Sequence, residues 1–429
     1  MRKQNINIAW ATLFALATLS LTGCNDAVNS SVTENQVYIP DGFITKADSK
    51  YFEGTDTVTI SVPVKMTRKN DERDVKVRLA VTEEALIEFN RRYEKTYAMY
   101  PFFRLVSDEV VIRKGTVGAA AELKVVPLTQ ALDQTGNIFA VPVTLTSADG
   151  AGVLNGSETF IYFVRRTPRA TVLQFDKGSS ASTARHLFLP FNKASWGGGD
   201  LVFNAYTMEF LIKFKNDFTA AHNYDLLNPC GDPQKGEIYT RLEGGGNGFS
   251  TAAFNVKFNG DNESISGAPA EGLKYDRWYH VAFVFGNSRL QCFVDGMLTT
   301  SIDTTLPQLI FPDSLSGFIW GAAAANSGYN GDAGSRATTQ SAELRIWTVA
   351  RTADQIRESM YNVRPDSEGL LGYWKLNDGA GNVVKEHTGK HPSAYMVKYK
   401  AAGKYNPNPA PWNLGFTWDT SNQILTVGQ

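Results

Sequence analysis

Apolar and polar residues alternate strictly along several segments of this chain, and no other feature limits its fold as much. Every second residue is Val, Ile or Leu from Val58 to Val64, from Val75 to Val81 and from Val141 to Leu145. Successive side chains of a β-strand point to opposite faces, so this spacing predicts strands with one apolar and one polar face. Because each apolar face must be buried against another layer, the sequence predicts an all-β chain built from two-layer sandwiches.

The first domain is predicted to span residues 35–166 as an immunoglobulin-like β-sandwich with one short helix. Thr82 is a suitable N-cap for that helix, and Glu83 follows it in the first turn, where negative charge is favourable. Pro63 and Pro142 interrupt predicted strands, and because proline lacks a backbone N–H they are expected at sheet edges or bulges. Three residues share the inner face of the helix: Leu86, Phe89 and Tyr93.

Residues 167–172 are predicted to be an extended linker, and residues 173–425 a second domain that is richer in aromatic residues and glycine. Trp278–Phe285 is apolar on both faces, as expected for a central buried strand. Asp295–Gly296 is a strong signal for a two-residue hairpin turn. Thr352 is followed by Gln355 in the spacing of a helix capping box.

The N-terminus has the pattern of an export signal. Arg2 and Lys3 precede an uncharged apolar run from Ile8 to Leu21, which is shorter than the ~20 residues of a membrane-spanning helix. The run ends at a Cys24 that resembles the lipidated cysteine of the bacterial lipobox. We therefore predict a signal peptide at residues 1–23 and a lipidated Cys24 with a flexible tether at residues 24–34. The expected location is the outer membrane, lipid-anchored and facing the cell surface.

Four segments of the second domain resemble, in order, the signatures of laminin G-like domains: Trp278–Ala282, Phe293–Gly296, Glu343–Thr352 and Leu371–Leu376. These domains belong to the concanavalin A-like lectin/glucanase superfamily. The resemblance implies a concanavalin A-like jelly-roll sandwich of two stacked antiparallel sheets. Ala342 departs from the pattern, because many members carry an acidic residue at that position.

The first domain is similar to a domain of unknown function that opens many surface lipoproteins of Bacteroidota and also precedes family 18 endoglycosidases. The resemblance rests on Asn90–Tyr93 and Tyr162–Val164. It implies a surface protein of a glycan-utilisation system, and such a likeness does not by itself imply catalysis.

The sequence offers no recognisable catalytic centre. Retaining glucanases need two carboxylates ~5–5.5 Å apart, and the acidic strand motif that supplies them in this superfamily is absent. His387 and His391 lack the context of a zinc site. With 42 basic and 43 acidic residues, the chain also lacks the basic excess typical of nucleic-acid binding. We therefore predict that the chain is not an enzyme and has no nucleic-acid partner.

Tryptophans outside the family signatures are the best candidates for ligand contacts. Aromatic rings match the apolar faces of sugars, and polar side chains at the rim bind their hydroxyls. Trp278, Trp347 and Trp374 lie in the signatures and are expected in the core, whereas Trp418 is one of four tryptophans outside them. The segment Trp320–Arg336 is the favoured site, because long loops without regular structure are usually functional. The predicted ligand-binding residues are Trp320, Tyr329, Asn330, Asp332, Arg336, Trp196 and Trp412.

No cofactor is predicted, and calcium binding stays open. Four carboxylates are available for calcium, although none has a dense ligand spacing: Asp200, Asp225, Asp232 and Asp332. Cys292 lies on the apolar face of a predicted strand, which favours a buried thiol over a disulfide with Cys230.

These observations predict a non-catalytic, cell-surface, carbohydrate-binding lipoprotein of a glycan-utilisation system. Its expected partners are a glycan, the bilayer through acylated Cys24, and other glycan-uptake proteins at the surface. Two alternatives remain: a protein-binding adhesion module, and a divergent glycoside hydrolase whose carboxylates are spread over loops.

Overall fold

The computed structural model describes most of the chain from residue 35 onward, and the descriptions below refer to these residues. They are residues 35–44, 47–52, 54–70, 72–176, 185–216, 224–230, 238–244, 249–258, 263–323, 338–398, 411 and 416–427. Within these ranges, no helix is both long and apolar enough to span a bilayer. The signal peptide, Cys24 and the tether lie outside the described residues. Contacts divide the chain into two compact units, Met1–Leu128 with Ile138–Arg166, and Thr129–Asn137 with Thr167–Gln429.

The first unit is a β-sandwich of two sheets. Its strands are β1 (Gln36–Tyr38), β2 (Ala47–Phe52), β3 (Val58–Met66), β4 (Val75–Ala80), β5 (Ala98–Met99), β6 (Phe103–Leu105), β7 (Glu109–Ile112), β8 (Gly118–Val125), β9 (Phe139–Ala148), β10 (Gly152–Val153) and β11 (Thr159–Arg166). One sheet has the order β10-β1-β3-β8-β6. The other has the order β2-β11-β9-β4-β7, with β5 paired to β9.

The alternation predicted for β3 is confirmed, because Ile60, Val62 and Val64 are buried and the residues between them are more exposed. The helix α2 (Glu83–Tyr93) also begins as predicted, with the Thr82 hydroxyl accepting from the backbone N–H of Ala85 at 3.3 Å. A further short helix, α1 (Pro40–Ile44), was not predicted, because one helical turn leaves no periodic pattern.

The expected placement of the prolines at sheet edges or bulges is wrong. Each lies in a central strand, at a position that has a register partner on one side only, Ala120 for Pro63 and Ile161 for Pro142. Pro63 pairs with Ala120 of β8, while β1 pairs only with Lys65 and Met66 of the same strand. Pro142 lies between the part of β9 that pairs with β5 and the part that pairs with β4.

The second unit is a larger sandwich. Its strands are β12 (Arg169–Phe175), β13 (Arg185–Pro190), β14 (Leu201–Phe203), β15 (Tyr206–Phe214), β16 (Tyr224–Cys230), β17 (Ile238–Glu243), β18 (Ala253–Phe258), β19 (Glu263–Gly267), β20 (Trp278–Gly286), β21 (Arg289–Val294), β22 (Met297–Asp303), β23 (Leu309–Phe311), β24 (Gly317–Ala323), β25 (Thr339–Trp347), β26 (Leu370–Trp374), β27 (Val383–Val384), β28 (Ala394–Lys398) and β29 (Thr417–Ile424). Its helices are α3 (Gln130–Asp133), α4 (Ala353–Glu358) and the 3-10 turns Lys193–Trp196 and Phe249–Thr251.

Two large sheets enclose the core of this unit. Sheet 1 has the order β22-β21-β20-β15-β25-β12-β29, with β26 paired to β25, and sheet 2 has the order β19-β18-β17-β16-β24-β13-β28-β27. Strands β14 and β23 form a separate pair. Large apolar rings fill the space between the sheets: Phe210, Phe254, Tyr279, Trp320 and Trp374. The opposite face of sheet 1 is covered in part by α4, whose Ile356 packs on Ala282, Val284 and Phe293.

Local signals in the second unit are confirmed. Asp295 and Gly296 both have positive φ angles, 53° and 75°, as the favoured hairpin turn requires. Thr352 and Gln355 form both hydrogen bonds of a capping box. Cys292 is a fully buried free thiol whose burial raises its pKa to about 12, while the side chain of Cys230 lies outside the described residues.

The predicted linker is mostly strand. Only Thr167 and Pro168 separate β11 from β12, because Arg169 and Ala170 already pair with Ile424 and Gln423 of β29. The partner strand lies more than 250 residues further along the chain, so this pairing leaves no local signal in the sequence.

Candidate functional site

Trp320, the favoured ligand residue in the sequence, lies inside the core. Its side chain is 1% exposed, and its ring lies 4.9 Å from that of Phe210 on the opposite sheet. Period-two geometry turns Trp320 inward with Phe318, whereas Ile319 faces the other way and is less buried. The prediction that Trp320 forms a sugar platform is therefore wrong.

Several other predicted residues lie outside the described part of the chain: Tyr329, Asn330, Asp332, Arg336, Trp412 and Asp232. The side chain of Asp225 is not described either. Their roles stay predictions. Among the described residues, no group of three metal-ligating side chains could hold a metal ion.

Of the two predicted ligand residues that the structure describes, Trp196 reaches the surface and Trp320 does not. Trp196 ends the 3-10 turn Lys193–Trp196, which Asn192 caps by accepting from the backbone N–H of Ala194 at 3.2 Å. Gly197, Gly198 and Gly199 follow with φ angles of 90°, 83° and 69°, a conformation that only glycine adopts without strain. No atom lies within 4 Å of the position that a Cβ would take on any of the three. The turn is therefore exposed and open.

The Trp196 ring is held in one orientation. Three aromatic rings contact it edge-on, those of Phe191 (6.0 Å, 75°), Phe311 (6.4 Å, 86°) and His391 (6.3 Å, 63°). The indole N–H donates to the carbonyl of Gly199 at 3.2 Å. The ring packs against the core on one side and remains partly exposed on the other. An aromatic surface fixed in this way loses little conformational entropy when a ligand stacks on it.

Two charged residues close to Trp196 in the sequence, Lys193 and Asp200, bind Asp313. Lys193 Nζ lies 2.8 Å from Asp313 Oδ1, and Asp200 Oδ1 accepts from the backbone N–H of Asp313 at 2.7 Å. These bonds join the turn to the segment that precedes β24, and both carboxylates are exposed. We call the set of Asn192, Lys193, Trp196, Gly197–Gly199, Asp200 and Asp313 the Trp196 turn.

His391 contacts the turn as a neutral ring. Its Nδ1 accepts from the backbone N–H of Asn192 at 3.1 Å, and its ring stacks on Phe191 at 4.7 Å. Burial lowers the pKa of His391 below its usual value, so the imidazole is uncharged at neutral pH. The sequence analysis does not select Lys193, Asp313 or His391 as ligand residues. Asp313 and His391 lie more than 110 residues from Trp196 in the sequence, so no local pattern connects them with it.

A second polar cluster lies beneath α4, on the outer face of sheet 1. Arg345 donates to Glu209 at 3.1 Å and to Glu343 at 2.6 Å, and the side chains of Arg345 and Glu209 are fully buried. Arg351 bonds the other oxygen of Glu209, and His280 Nε2 lies 3.7 Å from that carboxylate.

The arginines of this cluster also hold the chain around α4. Arg345 donates to the carbonyls of Ser359 and Met360, at 2.8 and 3.0 Å, and Arg351 donates to the carbonyl of Gln355 at 2.8 Å. The Glu343–Thr352 signature thus maintains the packing of α4.

Glu209 is not suited to proton transfer. Burial would raise its pKa, but Arg351, His280 and Arg345 outweigh burial and lower the pKa to about 2. A general acid needs a pKa near the working pH, so this carboxylate stays ionised and serves as the centre of the ion cluster.

Comparisons with known proteins agree with this architecture. The family model of the concanavalin A-like lectin/glucanases superfamily matches residues 191–357. The second unit is a concanavalin A-like domain. A second family model, of an N-terminal domain, matches residues 33–152. The Trp196 turn lies within the match to the concanavalin A-like domain.

Two solved structures illustrate the likeness. One is a protein from Bacteroides ovatus proposed to bind carbohydrate, which is 21% identical over 92% of this chain and 100% of that chain, with a TM-score of 0.51. The other is a pentraxin from Limulus polyphemus, 14% identical over 51% of this chain and 95% of that chain, with a TM-score of 0.35. The first supports the fold, and the second is too distant to support an argument. No curated protein matches the chain.

Proposed function

We propose that this chain is a non-catalytic glycan-binding protein and that the Trp196 turn of its concanavalin A-like domain holds a sugar ring. The observation that carries the proposal is the partly exposed indole of Trp196, fixed by three edge-on aromatic contacts and by its own hydrogen bond to Gly199. Exposed aromatic rings held rigidly beside polar groups are typical of small-molecule sites.

The chemistry of the turn matches a pyranose. The apolar C–H face of the sugar stacks on the indole, while the exposed carboxylates of Asp200 and Asp313 accept hydrogen bonds from its hydroxyls. Lys193 donates to a ring or glycosidic oxygen. The open backbone at Gly197–Gly199 leaves room for the sugar units on either side.

Two further observations support the proposal. The Bacteroides ovatus protein that shares this fold has itself been proposed to bind carbohydrate. The buried carboxylates Glu209 and Glu343 are both engaged by Arg345, so they are placed to stabilise the domain and not to cleave a glycosidic bond.

The proposal is tested with the purified full-length protein in detergent. It is screened on an array of N-glycans, yeast mannan and plant polysaccharides, and then run in affinity gels that contain the bound polysaccharides. We expect retention by at least one glycan, with no release of reducing ends on long incubation. A folded protein that no glycan retains would contradict glycan binding, and turnover of the glycan would contradict the non-catalytic assignment.

We further propose that acylated Cys24 anchors the protein at the outer membrane, facing the surface, where it serves a glycan-utilisation system with other uptake proteins. The resemblance of the N-terminal segment to a lipobox motivates this proposal. The Cys24→Ser variant should leave the membrane fraction, and protease added to intact cells should digest the wild-type protein. Unchanged fractionation of the variant would contradict the anchor, and full protection from protease would contradict surface exposure.

A further inference from the structure

Trp418 has the same construction as Trp196, at a different place in the second unit. Its indole N–H donates to the carbonyl of Gly381 at 3.2 Å. Its ring lies edge-on to Phe416, with 6.1 Å between centroids and an interplanar angle of 85°. Phe416 is buried in the core, whereas Trp418 is packed against the core and partly exposed. The ring is therefore fixed and accessible, as the ring of Trp196 is.

The segment beside Trp418 also resembles the Trp196 turn in its chemistry. Gly381 is exposed, has a φ of 83°, and no atom lies within 4 Å of the position of a Cβ there. The exposed Asp378 accepts from the backbone N–H of Lys385 at 3.1 Å, which holds this loop in place. Both places thus combine an indole anchored to a glycine carbonyl, an open glycine turn and an exposed aspartate.

The two tryptophans lie near opposite ends of β13. Trp196 contacts Phe191, which directly follows the strand. Phe416, which supports Trp418, contacts Phe175, and Phe175 lies against Gly321 beside His186 at the start of β13. A strand of six residues spans roughly 17 Å. One sugar ring cannot cover both indoles.

We propose that Trp418, with Gly381 and Asp378, forms a second saccharide-binding platform that takes a pyranose unit of a glycan chain. This inference rests on the proposed function, because it assigns the same ligand class to a second place. Two platforms on one rigid domain raise the avidity for a polysaccharide above the affinity of either platform for a single unit.

The test counts binding sites on the purified full-length protein. The probe is a disaccharide, too short to span both indoles, titrated by calorimetry: mannobiose if the array retains mannan, or cellobiose if it retains a plant β-glucan. We expect two equivalents on the wild type, one on Trp418→Ala, one on Trp196→Ala and none on the double variant. In affinity gels, Trp418→Ala should weaken retention by polysaccharide about tenfold or more. Trp418→Phe, which keeps a ring, should recover part of that loss.

Tyr51→Ala is the matched control, because Tyr51 is an exposed aromatic residue of the first unit, 55% exposed. It should leave both equivalents intact. One equivalent on the wild type, or unchanged stoichiometry and retention for a folded Trp418→Ala, would overturn the second platform while the Trp196 site stands. If the wild type bound no saccharide, that result would instead contradict the proposed function itself.

Discussion

The ion cluster beneath α4 and the Trp196 turn both contain pairs of oppositely charged side chains, which are buried in the cluster and exposed at the turn. In the cluster, Arg345 and Glu209 are fully buried. Their charged groups bond to each other, to Glu343 and Arg351, and to the backbone carbonyls of Ser359 and Met360. At the turn, the side chains of Lys193 and Asp313 remain 34% and 59% exposed. Buried ion pairs are expensive to break, whereas exposed pairs contribute little to stability. The cluster therefore maintains the fold, and the turn is free to exchange water for a ligand.

The largest effect is expected from Arg345→Met. It leaves two carboxylates buried without their shared partner, which should lower the free energy of unfolding by ~3–5 kcal/mol. The measurement is the urea midpoint of the second unit. Arg289→Met is the control, because Arg289 pairs with Asp303 in the open, with side chains 57% and 84% exposed, and should cost less than ~1 kcal/mol. Equal losses for the two variants would contradict the claim that the buried cluster contributes more to stability than an exposed ion pair.

Trp320→Ala should also destabilise the second unit, by ~3–5 kcal/mol, because it leaves a large cavity between the two sheets. Trp320→Phe should lose less stability and keep the wild-type saccharide affinity, as measured by calorimetry on the folded protein. Loss of binding in a stably folded Trp320→Phe variant would show that Trp320 contributes to recognition after all.

Acid should lower the free energy of unfolding of the second unit, because the buried His186 must be protonated on unfolding. Burial lowers the pKa of His186 in the folded state to about 3, while the unfolded chain titrates near 6.5. The resulting stability is present above pH 6.5 and is lost as the pH falls towards 3. Between pH 7 and pH 5 this histidine should account for about 2 kcal/mol. His186→Gln should therefore show a shallower decline of the unfolding midpoint over that range, and a parallel decline would contradict the assignment.

The smallest effect on stability is expected at the turn itself. Gly198→Ala places a Cβ on a residue with a φ of 83°, at a cost of ~1–2 kcal/mol, and should weaken saccharide binding by displacing Trp196. Gly54→Ala is a matched control in the first unit, since Gly54 has a φ of 77° and is equally open. Both variants should lose similar stability, and only Gly198→Ala should lose affinity. If Gly198→Ala and Gly54→Ala had the same saccharide affinity, the conformation of the turn would not matter for binding.

Local patterns in the sequence predict much of the fold. Alternation identifies β3, β4 and β9, and the cap at Thr82, the Asp295–Gly296 turn and the capping box at Thr352 all form as expected. These signals act between residues close in sequence, so the sequence alone displays them.

The site depends on contacts that the sequence does not display. The segment Phe318–Trp320 is apolar throughout, so nothing in it indicates which of its side chains face the core. Asp200 and Asp313 meet across 113 residues, and Glu209 and Arg345 across 136. Only the folded sandwich brings such pairs together, so the sequence does not show that Trp196 is supported by distant residues.

The most direct test of the account compares the saccharide affinity of Trp196→Ala with that of the wild type at the Trp196 turn, in the Trp418→Ala background that isolates this site. Loss of a central tryptophan contact costs ~2 kcal/mol or more, so we predict at least about a 30-fold weaker Kd with little change in the unfolding midpoint. A folded Trp196→Ala variant with unchanged affinity would contradict the proposal that this indole holds the sugar.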